Sequence, residues 1–375
     1  MGFYRASGQE AEHVFPGQGD PAERLKTLII FALRAPSRHN TQPWAFEIEG
    51  DEVRLHADER RGLPATDPDG RELLISCGAA LANLAVAAAH FGYATSTEIV
   101  PGHRRDGLVA RVRLEERRSS TADVEELFRA IPRRRTNRLP LDGREPPEGL
   151  VAQLVREARR EGAWLRPVED HQRSLVAELV GEGDRVQWSN PRWRAEFSAW
   201  TRRSGTGRRD GIPAGAHGLS DLAALLQPIV FRVMNPARME AERDRRRART
   251  TKSLLVLSTS RDGKEEWVAA GEALERVLLR ATAAGLTASY LNQPIEVPAL
   301  RPRLRDAIGE AGLPQVMIRL GYGLEVPPVP RRRVEEVLRR FQPLAKPPRP
   351  LALRRQAYPP QPPVGEKGQI APHAP

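Results

Sequence analysis

The chain has 375 residues, a formal charge of +11 and 40% hydrophobic residues, enough apolar material for one long domain or two intertwined ones. A single cysteine, Cys77, excludes an internal disulfide and suits a reducing compartment. No stretch approaches the ~20 apolar residues of a membrane span, so the expectation is a cytoplasmic protein with no membrane partner.

All but five of the 59 basic residues are arginine, whose planar fork matches phosphate and carboxylate. Nucleic-acid binding is the remote alternative that such charge permits. The arginines are spread along the chain, however, and no zinc-finger spacing, RNP motif or basic heptad region accompanies them.

The opening MGFYRASGQEAEHVF lacks the basic and then apolar regions of a secretory leader, and residues 1–20 are expected to be a flexible terminus. Helices are predicted at Pro21–Leu33, Arg71–Phe91, Ala122–Ala130, Leu150–Glu161, Gln172–Val180, Glu265–Ala284 and Ala299–Gly309. Ala45–Ala57 alternates apolar and polar about Glu49-Gly50-Asp51, as a hairpin does. Val109–Glu115, Ser253–Thr259 and Gln315–Gly323 are the other predicted strands, so the class is α+β. From Phe341 the chain carries ten prolines in 35 residues, and 341–375 is expected to be a disordered tail.

Two passages repeat each other. With Ile75–Ser96 set above Val268–Ser289, Gly78, Ala80, Leu81, Ala88, Gly92 and Ser96 fall on Gly271, Ala273, Leu274, Ala281, Gly285 and Ser289, an offset of 193. Each passage reads as one helix leaving through a glycine. The first is apolar nearly all round and should be buried; the second carries Glu272, Glu275, Arg276 and Arg280 and should have a wet face. Chance similarity of two Ala/Leu-rich helices is the alternative.

A weaker echo pairs QPWAFEI around Trp44 with EGAWLRPV around Trp164, at an offset of 120. The difference of 73 residues calls for an insertion in the second copy, for which Trp188–Thr251 is the candidate. Gly, Arg and Pro dominate its middle, so it reads as a mobile excursion with helical ends, long enough to fold over something. A basic interaction loop is the other reading. The expected organisation is a first half at 21–120 and a second at 121–340, with a lid insertion at about 188–251.

Between the first helix and the hairpin lies APSRHNTQPW, which can offer backbone N–H groups, a hydroxyl and an amide to the edge of a flat heteroaromatic ligand; a capped Pro-Ser turn is the plainer reading. IPRRRTNR, Ile131–Arg138, gathers guanidinium forks and a hydroxyl as a phosphate grip would, although an Arg run can equally be a solvated surface.

Jointly, APSRHNTQPW and RRTNR resemble the FMN-dependent nitroreductase family, and the duplication with a long covering segment resembles its Acg-like branch. That family builds its flavin site across two subunits. The resemblance therefore implies a nitroreductase-like fold of two repeated halves, a monomer acting as a pseudo-dimer, with PSRHN from one half and RRTNR from the other around one FMN. A mirror-image site is not expected, because the Trp164 region has no Pro-Ser-x-x-Asn and no R-R-T-x-R precedes Leu25.

Carried over by position, the resemblance implies that Arg134, Thr136 and Arg138 hold the phosphate and that Pro36, Ser37, Arg38 and Asn40 lie beside the ring. It places Asn292 and Gln293 at the flavin N5 and O4 edge, and adds Arg331 and Arg333 to the phosphate clamp. Arg38 departs from the small residue often found there.

No protein nucleophile or dedicated acid–base pair is visible, the eight histidines include no pair at i, i+3 or i, i+4 spacing for a metal, and Cys77 reads as core packing. The implied activity passes hydride from NAD(P)H through FMN to a small acceptor, nitroaromatic or quinone. The alternative is an FMN-holding protein whose lid suppresses turnover.

Overall fold

The computed structural model describes residues 15–16, 20–100, 107–117, 119–202, 207–213, 236–309 and 311–339. The expected disordered tail, almost all of the flexible terminus and most of the middle of the insertion lie outside these residues. The first helix, α1 (Pro21–Ala32), begins where Asp20 accepts the Ala22 N–H at 2.9 Å and Pro21 supplies a preset φ. The hairpin β1 (Trp44–Glu49) and β2 (Glu52–Ala57) turns through Gly50 at φ +61°. There follow α2 (Arg71–His90), β3 (Tyr93–Ile99) and β4 (Leu108–Arg117).

The second half contains α3 (Ala122–Ala130), α4 (Leu150–Arg160), β5 (Trp164–Pro167), α5 (Asp170–Ser189) and α6 (Pro191–Trp200). Next come a short parallel pair, β6 (Thr201–Arg202) and β7 (Ile212–Pro213), and α7 (Ala237–Thr250). The chain then runs through β8 (Ser253–Thr259), α8 (Lys264–Ala283), β9 (Thr287–Tyr290), α9 (Gln293–Glu296), α10 (Arg301–Ala307), β10 (Leu313–Gly321) and α11 (Val334–Val337).

Two antiparallel sheets have the same plan. One is ordered β1-β2-β4-β3 and the other β5-β8-β10-β9, so in each the last strand lies between the second and third, and a long helix joins those two. Where β1 and β2 are linked by a tight turn, β5 and β8 are separated by residues 168–252. That excursion begins with α5, and Trp188 sits in its last turn rather than at the start of a separate segment. β3 and β9 are absent from the predicted strands because each is short or half exposed and neither alternates cleanly.

The two long helices cross in direct backbone contact. A Cβ on Gly78 would stand 2.0 Å from the Val268 carbonyl oxygen, and one on Gly271 would stand 2.0 Å from that of Ile75. The contact is reciprocal, since each glycine meets the counterpart of the residue that meets its mate. Separate apolar cores flank the crossing, one around Phe31, Trp44 and Phe46 and one around Leu257, Val277 and Ile318. By length and composition α2 is apolar enough to cross a membrane, contrary to the sequence expectation, but 78% of its apolar window is buried in the protein.

The wet face expected for α8 is overturned. Glu275 is fully buried beside Arg134, Glu272 and Arg276 are half-buried, and Arg280 is nearly buried because α3 and α4 cover its side of the helix. Their carboxylates replace water: Arg280 pairs with Glu157 at 2.9 Å and with Asp123 and Glu126, and Arg276 pairs with Glu157 at 2.9 Å. Cys77 is buried as expected, facing the Pro43 carbonyl, and burial pushes its thiol up to about 12. Gly78→Ala or Gly271→Ala should lower the urea-unfolding free energy by about 3 kcal/mol, the upper part of the overpacking range; a loss under ~1 kcal/mol would mean that the helices can part freely.

Candidate functional site

The PSRHN loop is held in an uncommon conformation. His39, Asn40 and Gln42 have φ of 50°, 53° and 50°, three left-handed non-glycine residues within four positions. Such backbone costs of order 1–3 kcal/mol per residue and persists only where the surroundings over-determine it. Here they do. Ser37 Oγ accepts the Gln42 N–H at 2.9 Å, Gln42 Nε2 donates to the Arg209 carbonyl at 2.7 Å, and Gln42 Oε1 accepts the Arg332 N–H at 2.7 Å.

Asn40 joins three distant segments. Its Nδ2 donates to the carbonyls of Gly211 at 3.0 Å and Pro330 at 3.2 Å, while its Oδ1 accepts from Arg331 Nη1 at 3.0 Å. Residues 207–213, the described part of the expected mobile middle, are therefore tied down: Asp210 also pairs with Arg61 at 2.6 Å and Arg202 at 3.1 Å, and Trp200 lies under both guanidiniums.

RRTNR comes to the same place from the other side. Thr136 bridges to Ala288 of β9, and the Asn137 N–H donates to the Ala288 carbonyl at 2.7 Å, so the second sheet carries the motif. Arg134 Nη2 donates to the Arg34 carbonyl at 3.0 Å, just ahead of PSRHN.

Two adjoining cavities result, each with about 600 Å³ of empty space that opens to solvent. Pro36, Ser37, Thr136 and Arg138 line both. The first is walled by five arginines, Arg34, Arg134, Arg135, Arg138 and Arg331, and closed by Ile212 and Pro213. The second lies between Glu72, Ile75 and Ser76 of α2 and Leu274, Tyr290 and Val316 of the opposite half.

Positive charge dominates the first cavity. Burial, reinforced by neighbouring guanidiniums, pushes Arg331 down to about 9 and Arg138 to about 10. Arginine keeps its proton at neutral pH, so these shifts express an unmet demand for negative charge. Nε of Arg134 and Nε of Arg331 are buried without a hydrogen-bond partner, and Glu275, 3.4 Å from Arg134, is the nearby counter-charge. Burial pushes the Glu275 carboxyl up to about 7 in spite of that arginine.

The second cavity holds acids as well as a base. Arg38 pairs with Glu296 at 2.8 Å and Glu72 at 3.5 Å, and Asn292 bridges Glu72 and the Met317 N–H. Arg38, Ser37, Pro36, Asn40, Arg134, Thr136, Arg138, Asn292 and Arg331 thus line one continuous cleft. Two expected residues do not line it. Gln293 turns its amide to Asp184 at 3.1 Å and Asp244 at 2.9 Å, drawn by a buried carboxylate pair between α5 and α7. Arg333 stands at the start of α11, its N–H on Glu336 at 2.9 Å.

Sequence reasoning missed Arg34, Arg135, Glu72, Tyr290, Ile212 and Pro213. Arg34 adjoins one motif and Arg135 lies inside the other, so both could have been included on proximity. Glu72 opens the helix already singled out. The β7 pair belongs to the insertion expected to fold over something, but nothing in its residues marked these two for the contact.

No family model matches the chain. A Mycobacterium tuberculosis H37Rv protein provisionally named NAD(P)H nitroreductase Rv3131 is 34% identical over 324 residues, 84% of this chain and 91% of that protein. The provisionally named NAD(P)H nitroreductase acg of the same organism is 31% identical over 319 residues, 84% and 94% of the two chains. The chain belongs to the nitroreductase family, in the branch that these mycobacterial proteins form.

Two solved nitroreductase structures align less well. One, provisionally named, comes from Anabaena variabilis ATCC 29413, with a TM-score of 0.43 and 9% identity over 73% of this chain and 69% of that one. NfnB from sphigopyxis sp. strain HMH has a TM-score of 0.35 and 19% identity over 58% and 99%. Likeness at that level carries no argument.

Buried carboxyls give the fold a definite pH response. Burial pushes Glu296 and Asp184 up to about 8, and Glu272 likewise, far above an unfolded carboxyl near ~4.3. Between these values the native state holds protons that the unfolded chain releases, so stability falls as pH rises from about 5 to about 8. Asp262, lowered to about 2 by Arg301 and Trp267 against its own burial, acts oppositely and only in acid. Urea melts should give their highest free energy near pH 5, declining toward pH 8.5, and Asp184→Asn should flatten the decline; stability rising over that range would mean the carboxyls are ionised in the native state.

Proposed function

We propose that the cleft binds one FMN per chain and that the protein is an NAD(P)H-dependent flavin oxidoreductase acting on a small acceptor of the nitroaromatic or quinone class. One observation carries this: five arginines from three separate segments converge on a single cavity with little negative charge to meet them. A phosphate supplies that charge, and guanidinium forks match its oxygens. The Nε of Arg331, buried without a hydrogen-bond partner, fits the same group.

Arg134, Arg138, Arg331 and the Thr136 hydroxyl would hold the phosphate, with Arg34 and Arg135 adding to the field. The adjoining cavity, lined by the apolar Ile75, Leu274 and Val316 and by the polar Ser37, Arg38 and Asn292, suits a fused aromatic ring with a polar edge. Bound there, FMN supplies two-electron chemistry, taking reducing equivalents from a nicotinamide and passing them to the acceptor. The protein's part is to bind, orient and exclude water. Pro36 and the strained loop from His39 to Gln42 fix one edge of the slot, and Gly211–Pro213 cover its phosphate end.

The repeated sheet plan and reciprocal glycine contact support reading the chain as a duplicated, single-chain pseudo-dimer, with halves at about 21–120 and 121–340. They also suit a monomer. On this reading the flavin lies across the internal pseudo-twofold.

A second reading rests on residues 207–213. Their bonds to Asn40, Gln42 and Arg61 lay the chain over the cleft, which favours retention of flavin over turnover. In either case Arg134→Ala and Arg138→Ala should each weaken FMN binding by about 1.5–3 kcal/mol, the worth of a charge-assisted hydrogen bond, and the double variant should purify colourless; yellow protein from the double variant refutes the assignment.

Asp210→Ala separates the readings. By freeing the covering chain from Arg61 and Arg202 it should raise quinone turnover and hasten flavin release under the retention reading, and change neither if the segment does not gate access. Anaerobic NADPH and NADH, followed at the flavin absorbance, provide the measurement.

A further inference from the structure

The ring-side cavity has in its wall Glu72, one of a pair of carboxyl groups that flavin binding does not need; its mate, Glu296, lies behind it. Glu72 lies in the first turn of α2 and Glu296 ends α9, with side chains 7% and 1% exposed. Donors reach one oxygen of each. Asn292 Nδ2 gives to Glu72 Oε1 at 3.1 Å, while Arg38 Nη2 at 2.8 Å and Gln187 Nε2 at 2.6 Å both give to Glu296 Oε2.

Neither Glu72 Oε2 nor Glu296 Oε1 has a hydrogen-bond partner, and both are buried. The two carboxyl groups share one guanidinium, Arg38, whose Nη2 lies 2.8 Å from Glu296 Oε2 and whose Nε lies 3.5 Å from Glu72 Oε2. Two buried carboxylates gathered on one cation repel each other; a single proton held by the pair relieves that repulsion.

The surroundings demand the same proton. Arg38 and Arg71 are the cations beside the pair, Arg71 Nη2 lying 3.5 Å from Glu72. Asp67, just ahead of α2, and Glu196 of α6 add negative charge, and His39 lines the same cavity. Glu196 accepts from the N–H groups of Ala65 and Thr66 and from the Thr66 hydroxyl. Fully ionised, four carboxylates would outnumber the three guanidiniums of Arg38, Arg71 and Arg138 around a buried site. Burial, with Glu72 alongside, pushes Glu296 up to about 8, and Asp67 rises to about 6.

We propose that Glu72 and Glu296 share one proton at neutral pH and that Glu72, the member on the cavity wall, delivers it to the electron acceptor. The delivery step rests on the flavin reading above; the shared proton does not. A quinone becoming a hydroquinone takes two electrons and two protons. One proton travels with the electron pair that NAD(P)H provides through the flavin, and the carboxyl pair gives the second to a quinone oxygen. The pair is then doubly ionised between Arg38 and Arg71 until solvent returns a proton. Glu296 acts through Glu72 and is the positioning member.

The first arm of the test needs no cofactor. Infrared spectra of the ligand-free protein at pH 7, recorded in H₂O and D₂O, should contain a protonated-carboxyl band that Glu296→Gln removes while the other bands stay. An unchanged spectrum overturns the shared proton. The second arm uses the flavin-loaded protein and a soluble benzoquinone. Wild-type kcat/KM should fall above about pH 8, and Glu72→Gln should lower it by about 10²–10⁴-fold, the usual worth of a general acid, while abolishing that limb.

Glu296→Gln, isosteric and able to keep an oxygen toward Arg38, serves as the second variant should Glu72→Gln fold poorly. It should lose the same alkaline limb. A vanished infrared band with an unaltered pH profile overturns the delivery, and a chain that binds no flavin defeats the oxidoreductase reading while leaving the infrared result to judge the pair.

Discussion

The close crossing of two helices is the constraint on which this structure rests. Gly78 and Gly271 bring the backbones of Arg71–His90 and Lys264–Ala283 into contact, each glycine under a carbonyl of the other helix. With any side chain there, the helices would separate by the width of a methyl group or more. The halves would then move apart, and the cleft between them would widen by a comparable amount. Packing deep in the core thus fixes a distance in the site, because PSRHN and Glu72 travel with one helix and RRTNR, docked on Ala288, travels with the other.

Much of this was legible from the residues. Helical periods bounded by glycine gave the two crossing helices to within a residue, and each helix joins the second and third strands of a sheet with the same order. The two polar motifs stood out because so many hydrogen-bonding groups at an element junction need partners. Asn40 and Thr136 do line one cleft. Those features are local in sequence, and local patterns are what a single chain can announce.

What stayed hidden was set by long-range packing. Charged residues on Lys264–Ala283 looked solvated, yet Glu157, Asp123 and Glu126 arrive from other helices to pair with them. Gln293 looked like a ligand contact and instead satisfies Asp184 and Asp244. Glu72 and Glu296 lie far apart in the chain, so neither carboxyl could be connected with the other from sequence. The left-handed run at His39, Asn40 and Gln42 has no glycine to betray it; tertiary bonds enforce it.

The knot at Asn40 has a consequence for biogenesis. It is tied to Gly211 and to Pro330 and Arg331, so three regions synthesised at widely separated times must all be present before that corner can form. On the ribosome the first sheet can assemble early, but the pocket remains open until nearly the whole polypeptide has emerged. Ligand capture is thereby confined to the finished molecule, and a truncated translation product would display the first module without being able to retain anything in it.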